Sequence, residues 1–459
     1  MPVKAFLGTV FETPDRHTLN IIQDALVVVH DGTIEQVINP EADAETYASM
    51  LEAASAAGHL TRLQKGQYLI PGLIDVHVHA PQWPQLGKAL DKSLDTWLQK
   101  YSFPLEARYK DLEFAEKSYS SLVSTLLANG TTTVAYFASI HLEASLLLAR
   151  ICLEKGQRAV VGRVAMDLAD QCPEYYRDAS PKESVAQSEA FVQQVRSLKG
   201  NTEGLVLPAV IPRFIPSCSD AALRGLGELA KRYDCHVQTH CSESDWEHNH
   251  VIERFGKHDA LALDDFGLLT RRTVLAHGNF LSTGDLQLVK ARGAAVGHCP
   301  LSNFYFSDAV FPLKKALDMD IHVGMGTDIS GGPSASLFDA CRYALAAGRA
   351  LESGTDPNLS ATERSQHRGA RVGSVEAFFV ATTNGGISLD LKIGRIAPGY
   401  MFDALVIDTT LPNSSLMVFD GVDTLEDVFQ KIVYNAAPHN IVQTYVNGRL
   451  VSQHSSRCG

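Results

Sequence analysis

Leu69-Ile-Pro-Gly-Leu-Ile-Asp-Val-His77-Val-His79-Ala-Pro-Gln82 reads as an apolar strand that runs into a His-x-His pair. Side chains alternate faces along a strand, so His77 and His79 point the same way. Two neutral imidazoles on one face at the end of a buried strand supply half of a metal site, because zinc takes three or four such ligands. Taken alone, the pair fits two hydrogen-bonded core histidines equally well. The rest of the chain decides between the two.

Outward from this stretch, short apolar runs alternate with helical patterns from about 71 to 380. Candidate strands lie at 73–79, 131–137, 159–167, 204–211, 236–240, 273–277, 294–298 and 322–328, with helical text at 119–128, 141–155, 181–197, 222–233 and 284–292. Eight strand–helix units imply a parallel sheet closed into a (β/α)8 TIM-type barrel. A doubly wound open sheet is the alternative, but no Gly-x-Gly-x-x-Gly turn follows a strand. Residues 80–115, containing Trp97-Leu-Gln-Lys-Tyr-Ser-Phe-Pro-Leu-Glu106, form a long insertion after strand one and read as a lid or pocket wall. Both chain ends read differently. Residues 25–38 make a hairpin through Asp31-Gly32, and 442–451 make another through Asn447-Gly448, with an Ala/Glu-rich helix candidate at 42–57. Residues 1–70 and 381–459 are therefore expected to form one small composite β domain, and 71–380 the barrel.

The polar residues at the strand ends carry the chemistry. Strand one ends in His77 and His79, strand five in His240, strand six in His277 and strand eight in Asp328. The C-terminal strand ends of such a barrel converge on one mouth, so these residues meet although far apart in sequence. Singly, His277 reads as a supporting residue and Asp328 as a cap on the turn Ile329-Ser-Gly-Gly332; together they read as a metal site. Zinc suits three imidazoles and a carboxylate with one position left for water, and iron(II) tolerates the same set. A second metal needs a bridging carboxylate or modified lysine, plausibly on strand four. Residues 203–216 hold no Lys, and Arg213 stays protonated, so one metal is expected. His298 reads as structural, and His248, His250 and His258 fall in helical or loop text. Glu243, three residues after His240, is placed to move protons beside a metal. Its alternative is an acid at a helix start, a role that Asp245 and Glu247 fit better.

Composition excludes several classes. The 459 residues are 45% hydrophobic with a formal net charge of −12, so there is no basic field for nucleic acid or anionic lipid. No apolar run is long enough for a membrane span. The first residues are too weakly apolar for a signal peptide, and Ser456-Arg-Cys-Gly459 matches no lipidation or peroxisomal ending. Eight Cys without C-x-x-C spacing read as reduced intracellular thiols.

Pro71-Gly-Leu-Ile-Asp-x-His-x-His79, the later His240 and His277, and Gly326-Thr-Asp328 together resemble the amidohydrolase superfamily. That resemblance implies a barrel carrying a small β-sandwich made from both chain ends. His-x-x-Glu at 240–243, with no lysine on strand four, is similar to the mononuclear deaminase branch. Four further segments resemble the guanine deaminase family: His79-Ala-Pro-Gln82; Trp97-Leu-Gln-Lys-Tyr-Ser-Phe-Pro104; Met166-Asp-Leu-Ala-Asp170 with Pro173-Glu-Tyr175; and Pro212-Arg-Phe214 with Ser217-Cys-Ser219. The resemblance implies hydrolytic deamination of guanine to xanthine and ammonia. In that scheme His77, His79, His240 and Asp328 hold one Zn2+, or Fe2+, per chain, and metal-bound hydroxide attacks C2. Glu243 shuttles a proton to the ring nitrogen and then to the departing amine, and His277 stabilises the oxygen of the tetrahedral intermediate. Asp328 accepts the hydrogen bond of the attacking hydroxide while it ligates. Gln82 and Arg213 read the polar edges of the purine, Phe214 lies on its face, and His240, Glu243 and Asp328 also touch it. Phe214 alone reads as core packing, and Arg213 as a salt-bridged strand end. A cytoplasmic homodimer is implied, with no nucleic acid or membrane partner. The alternatives are a deaminase of oxidised guanine, cytosine or a triazine, a cyclic-amide hydrolase, or a barrel that has lost its metal and activity.

Overall fold

The structure is a computed structural model that describes residues 4–365 and 367–454. The stretches read for targeting signals fall partly or wholly outside it, at 1–3 and 455–459. Eight parallel strands close into a barrel. In chain order they are Leu73–His79, Thr131–Phe137, Arg158–Ala165, Val206–Pro212, His236–Cys241, Thr273–His277, Ala295–His298 and His322–Met325, called barrel strands one to eight below. These runs are buried almost throughout, as parallel strands covered by helices must be. The open doubly wound sheet is thereby excluded.

Helices follow most strands and start where local chemistry allows. The helix Leu112–Ala128 begins two turns before the expected 119 because Asp111 caps it, its carboxylate accepting from the Glu113 and Phe114 amides. Ser180 caps Pro181–Arg196 in the same way, with proline at the first helical position. The 80–115 insertion is a chain of short helical turns, Ala80–Gln85, Leu94–Trp97, Leu98–Ser102, Phe103–Ala107 and Arg108–Lys110.

The two chain ends build one mixed sheet. Its order is Arg449–Gln453, Ile441–Val446, Ala404–Asp408, Gln67–Pro71, Lys4–Glu12, Asn20–His30 and Thr33–Ile38, with Leu60–Arg62 beside Lys4–Glu12. Both hairpin turns take positive φ at both central residues, at Asp31 (47°) and Gly32 (78°) and at Asn447 (50°) and Gly448 (71°), which matches strand twist. Phe6 stacks on Phe402 at 4.4 Å between ring centroids and meets the Tyr445 edge at 5.1 Å, so residues from opposite ends of the chain share one core. Sheet and barrel are continuous at Pro71-Gly72-Leu73. A Cβ on Gly72 would lie 2.2 Å from Thr132 Oγ1, so only glycine lets the chain pass this close to barrel strand two.

A buried ion pair also joins them. Arg158 of barrel strand three donates from Nε to Asp403 Oδ2 at 2.9 Å and from Nη2 to Oδ1 at 3.2 Å, and the Asn447 amide donates to Oδ1 at 2.8 Å. Removing one partner strands a buried charge. Asp403→Ala should therefore cost about 3–5 kcal/mol in denaturant unfolding, whereas replacing both Arg158 and Asp403 by Leu should cost much less. Equal losses for the single and double variants would show that packing dominates instead.

Candidate active site and metal centre

The barrel strands bring the expected residues to one place. His77 Nε2 lies 3.2 Å from Asp328 Oδ1, and His79 Nε2 lies 3.6 Å from the same oxygen. The Nε2 atoms of His79 and His240 are 2.9 Å apart. His277 Nε2 is 3.5 Å from Glu243 Oε1 and 3.9 Å from Asp328 Oδ2. All of these side chains are buried. Asp328 lies three residues past barrel strand eight, where ladder pairing to strand one is reduced to Met325 with Asp75. The Asp75 carboxylate bridges that gap, accepting from Thr327 N at 3.1 Å, Thr327 Oγ1 at 2.5 Å and His77 N at 3.2 Å. Burial pushes Asp75 up to about 7, against those hydrogen bonds. His277 (φ 71°) and Asp328 (φ 49°) both hold left-handed backbone, a conformation that costs non-glycine residues on the order of 1 kcal/mol or more and collects at functional sites. The amide of Asp328, donating to His77 O at 2.9 Å, helps hold it there.

The far side of each imidazole fixes which nitrogen faces inward. His77 Nδ1 donates to Gln238 Oε1 at 2.7 Å, His240 Nδ1 to Arg213 O at 2.6 Å, and His277 Nδ1 to Asn303 Oδ1 at 2.9 Å. Each then presents an Nε2 lone pair to the centre. Burial, followed by neighbouring histidines, holds His79 and His240 well below the ordinary imidazole value, so both stay neutral and able to ligate. Burial alone would raise Asp328. The imidazoles of His77 and His277 and a hydrogen bond from Ser302 overrule it and hold the carboxyl near about 2. The arrangement fits a cation. The inward Nε2 atoms of His77 and His277 have no hydrogen-bond partner, and the Nε2 atoms of His77, His79 and His240 lie close enough together for one ion to take all three. Cys299 also lies near His77 and His277, and burial first, then the acids Asp328, Asp75 and Glu243, raise its thiol well above the ordinary value.

Glu243 sits just beyond barrel strand five, on a backbone that Ser242 turns with φ 50°. Asp259 secures the turn, accepting from Ser242 N at 3.3 Å and Oγ at 2.9 Å. The Glu243 amide donates to Glu247 Oε2 at 2.7 Å, and Asn279 donates to the Glu243 carbonyl at 2.9 Å. With its backbone held from both sides, the carboxyl is aimed at the histidine cluster. Burial first, then the charge of Asp328, push it up to about 8. Asp245 and Glu247 occupy the first turn of the helix Asp245–Phe255, as expected.

A cavity of about 380 Å³, including its open mouth, lies over these groups, lined among others by His79, Gln82, Arg213, Phe214, Glu243 and Asp328. The 80–115 insertion contributes Leu94, Trp97 and Leu98 to its wall, and Trp97 packs on Phe306 at 4.9 Å between ring centroids. Phe214 stands 6.1 Å from the His240 ring and 5.8 Å from Trp246. Arg213 is both a cavity residue and half of a buried ion pair, donating to Glu106 through Nη1 at 2.6 Å and Nη2 at 3.1 Å. His298 is buried against Phe311 outside the cluster.

Reading by strand ends missed the residues that orient the ligands. Gln238 was detectable: it lies two residues before His240, hence on the same strand face. Asn303 and Glu106 carried no such signal, because their partners are 26 and 107 residues away. Among the described residues, seven cysteines are buried and free, and no helix is long and apolar enough to cross a membrane.

Comparison with known proteins agrees with this geometry. Residues 68–451 match the model of the Amidohydrolase family. Guanine deaminase from Homo sapiens is 36% identical over 98% of this chain and 97% of its own, and that from Dictyostelium discoideum is 34% identical over 98% of both. A crystal structure of guanine deaminase from C. acetobutylicum with bound guanine in the active site superposes with a TM-score of 0.84 at 30% identity, covering 98% of this chain and 100% of that one. With its closed barrel, its converging histidines and these full-length similarities, the chain belongs to the amidohydrolase family, within the guanine deaminases.

Proposed function

We propose that this chain hydrolyses guanine to xanthine and ammonia, using one zinc ion held by His77, His79, His240 and Asp328. What carries the reading is one cavity in which Glu243 faces the histidine cluster while Gln82 and Arg213 stand on the wall. A zinc ion bound there would lower the pKa of a water toward about 7. The protein's own groups do the rest. Asp328, ionised at neutral pH, accepts a hydrogen bond from the attacking water. Glu243 takes one proton of that water and passes it to the ring nitrogen next to C2; the second proton leaves the added oxygen as the C2 carbonyl forms, and Glu243 hands it to the departing amine as the C2–N bond breaks. His277, whose Nε2 lone pair faces both acids, holds the hydroxyl added at C2 by accepting its hydrogen bond. Arg213 donates to the C6 carbonyl, Gln82 reads a second polar edge, and Phe214 covers the ring face. A homodimer acting in the cytoplasm completes the reading.

Ammonia release measured with guanine beside adenine, cytosine and a triazine tests it: guanine should be the substrate, and release from another heterocycle alone would replace it. The same sample should carry about one equivalent of zinc per chain by elemental analysis, and Asp328→Ala should lose it. Two equivalents in a fully active sample would overturn the single-metal reading.

A further inference from the structure

Glu106 lies behind the cavity wall with no exposed surface. Its Oε1 accepts from Gln82 Nε2 at 2.9 Å and Arg213 Nη2 at 3.1 Å, and its Oε2 accepts from Arg213 Nη1 at 2.6 Å. Gln82 Oε1 in turn accepts from the Ser330 amide at 3.1 Å, which fixes the amide with its nitrogen toward Glu106. One buried carboxylate thus orients both groups that would read the purine, and it also cancels the charge of the guanidinium beside them. The neighbouring ionisable groups leave that balance intact. Burial holds the Tyr176 phenol well above its ordinary value and pushes the Cys172 thiol up to about 12, so both are neutral. Across the cavity Asp328 is ionised beside the neutral imidazoles of His79 and His240, a charge that the proposed cation would offset, and Glu243 lies on that same side.

A buried, uncompensated guanidinium attracts an anion far more strongly than a neutral carbonyl. Paired with Glu106, it becomes a directional donor with little net field. Deamination turns guanine into xanthine, whose first ionisation occurs closer to neutral pH than that of the substrate. We infer that Glu106 is a specificity-determining residue, which neutralises Arg213 so that the cavity selects the neutral purine and releases the anionic form of its product. The inference rests on the guanine-deaminating function proposed above.

The test is inhibition of guanine deamination by xanthine and by hypoxanthine, which carries the same C6 carbonyl and stays neutral where xanthine has ionised. In the wild-type holoenzyme, xanthine inhibition relative to hypoxanthine should weaken as pH rises through the first ionisation of xanthine. Glu106→Gln keeps the side-chain shape and leaves Arg213 uncompensated, so at the higher pH it should strengthen xanthine relative to hypoxanthine by about tenfold or more. Glu106→Asp, which keeps the charge, should retain the wild-type trend. A structural role alone would weaken both inhibitors together. A ratio within about twofold of wild type in metal-loaded Glu106→Gln overturns the inference. So does a wild-type ratio that rises as xanthine ionises, a measurement that needs no variant to fold. Absence of any guanine turnover in the wild type overturns the function it rests on, whereas guanine turnover with an unmoved ratio overturns the inference alone.

Discussion

Glu243→Gln is expected to lower guanine turnover by at least about 10²-fold while leaving metal content and purine binding in place. The amide keeps the shape of the side chain and its 3.5 Å approach to His277 Nε2, but it cannot take up and return a proton. The backbone that aims residue 243 is anchored by Glu247, Asn279 and, through Ser242, Asp259, none of which contacts the 243 side chain in doing so. The substitution should therefore leave the loop where it is. Burial and the charge of Asp328 raise the Glu243 carboxyl to about 8 in the absence of a cation. It holds its proton below that value, and a cation beside it would pull the value back down and free the carboxylate to take a proton. A proton-transfer group poised near neutrality matches the reaction. Single-turnover rates, with metal content and a purine titration on the same sample, decide the matter. Turnover within a few-fold of wild type would make Glu243 structural and assign the proton transfer to another group, of which His277 is the nearest.

Much of this site was legible in the sequence because periodicity projects directly onto geometry. His77 and His79 share a face by strand parity. Closing the barrel then forces strand ends 161 residues apart to within hydrogen-bonding distance, as His79 and His240 show. Asp75 was visible in the same motif, but its task was not. That task exists only because strands eight and one scarcely pair, a consequence of how the barrel closes. Glu106 shows the limit more sharply. In sequence it ends a stretch of short turns and resembles any acid at a helical surface. Only the fold of the insertion sinks it against Arg213, and a buried carboxylate acquires meaning from its partner. The early start of the helix Leu112–Ala128 was missed for a simpler reason: before Tyr119 it buries only the small residues Ala115 and Ser118, so the apolar stripe begins later than the helix.

Guanine should be deaminated with a kcat/KM about 10⁴-fold above that for adenine, because a site built to hydrogen-bond one substrate group leaves its own polar atoms unpaired against an analogue that lacks it. Guanine presents a carbonyl at C6 and adenine an amine. Arg213 has donors only, and its pairing with Glu106 uses one N–H of each terminal nitrogen, leaving others to face the cavity. Adenine has no amine at C2: in the guanine pose it would offer nothing to release and would set its C6 amine against Arg213, donor to donor, and to react it must turn that amine toward Glu243 and leave Arg213 without a carbonyl. Gln82 cannot turn to relieve the mismatch, since its nitrogen is tied to Glu106 and its oxygen to the Ser330 amide. The same ion pair complicates the obvious variant. Arg213→Leu removes the reader but also strands a buried carboxylate, so a loss of melting temperature is expected whichever role Arg213 has. Substrate ranking is the informative quantity. With metal still bound, Arg213→Leu should raise KM for guanine, lower kcat/KM, and narrow the gap between guanine and adenine. A variant that melts lower yet keeps its guanine kinetics and the full gap would reduce Arg213 to a support of the barrel wall, and the choice of purine would then rest on Gln82 and Phe214.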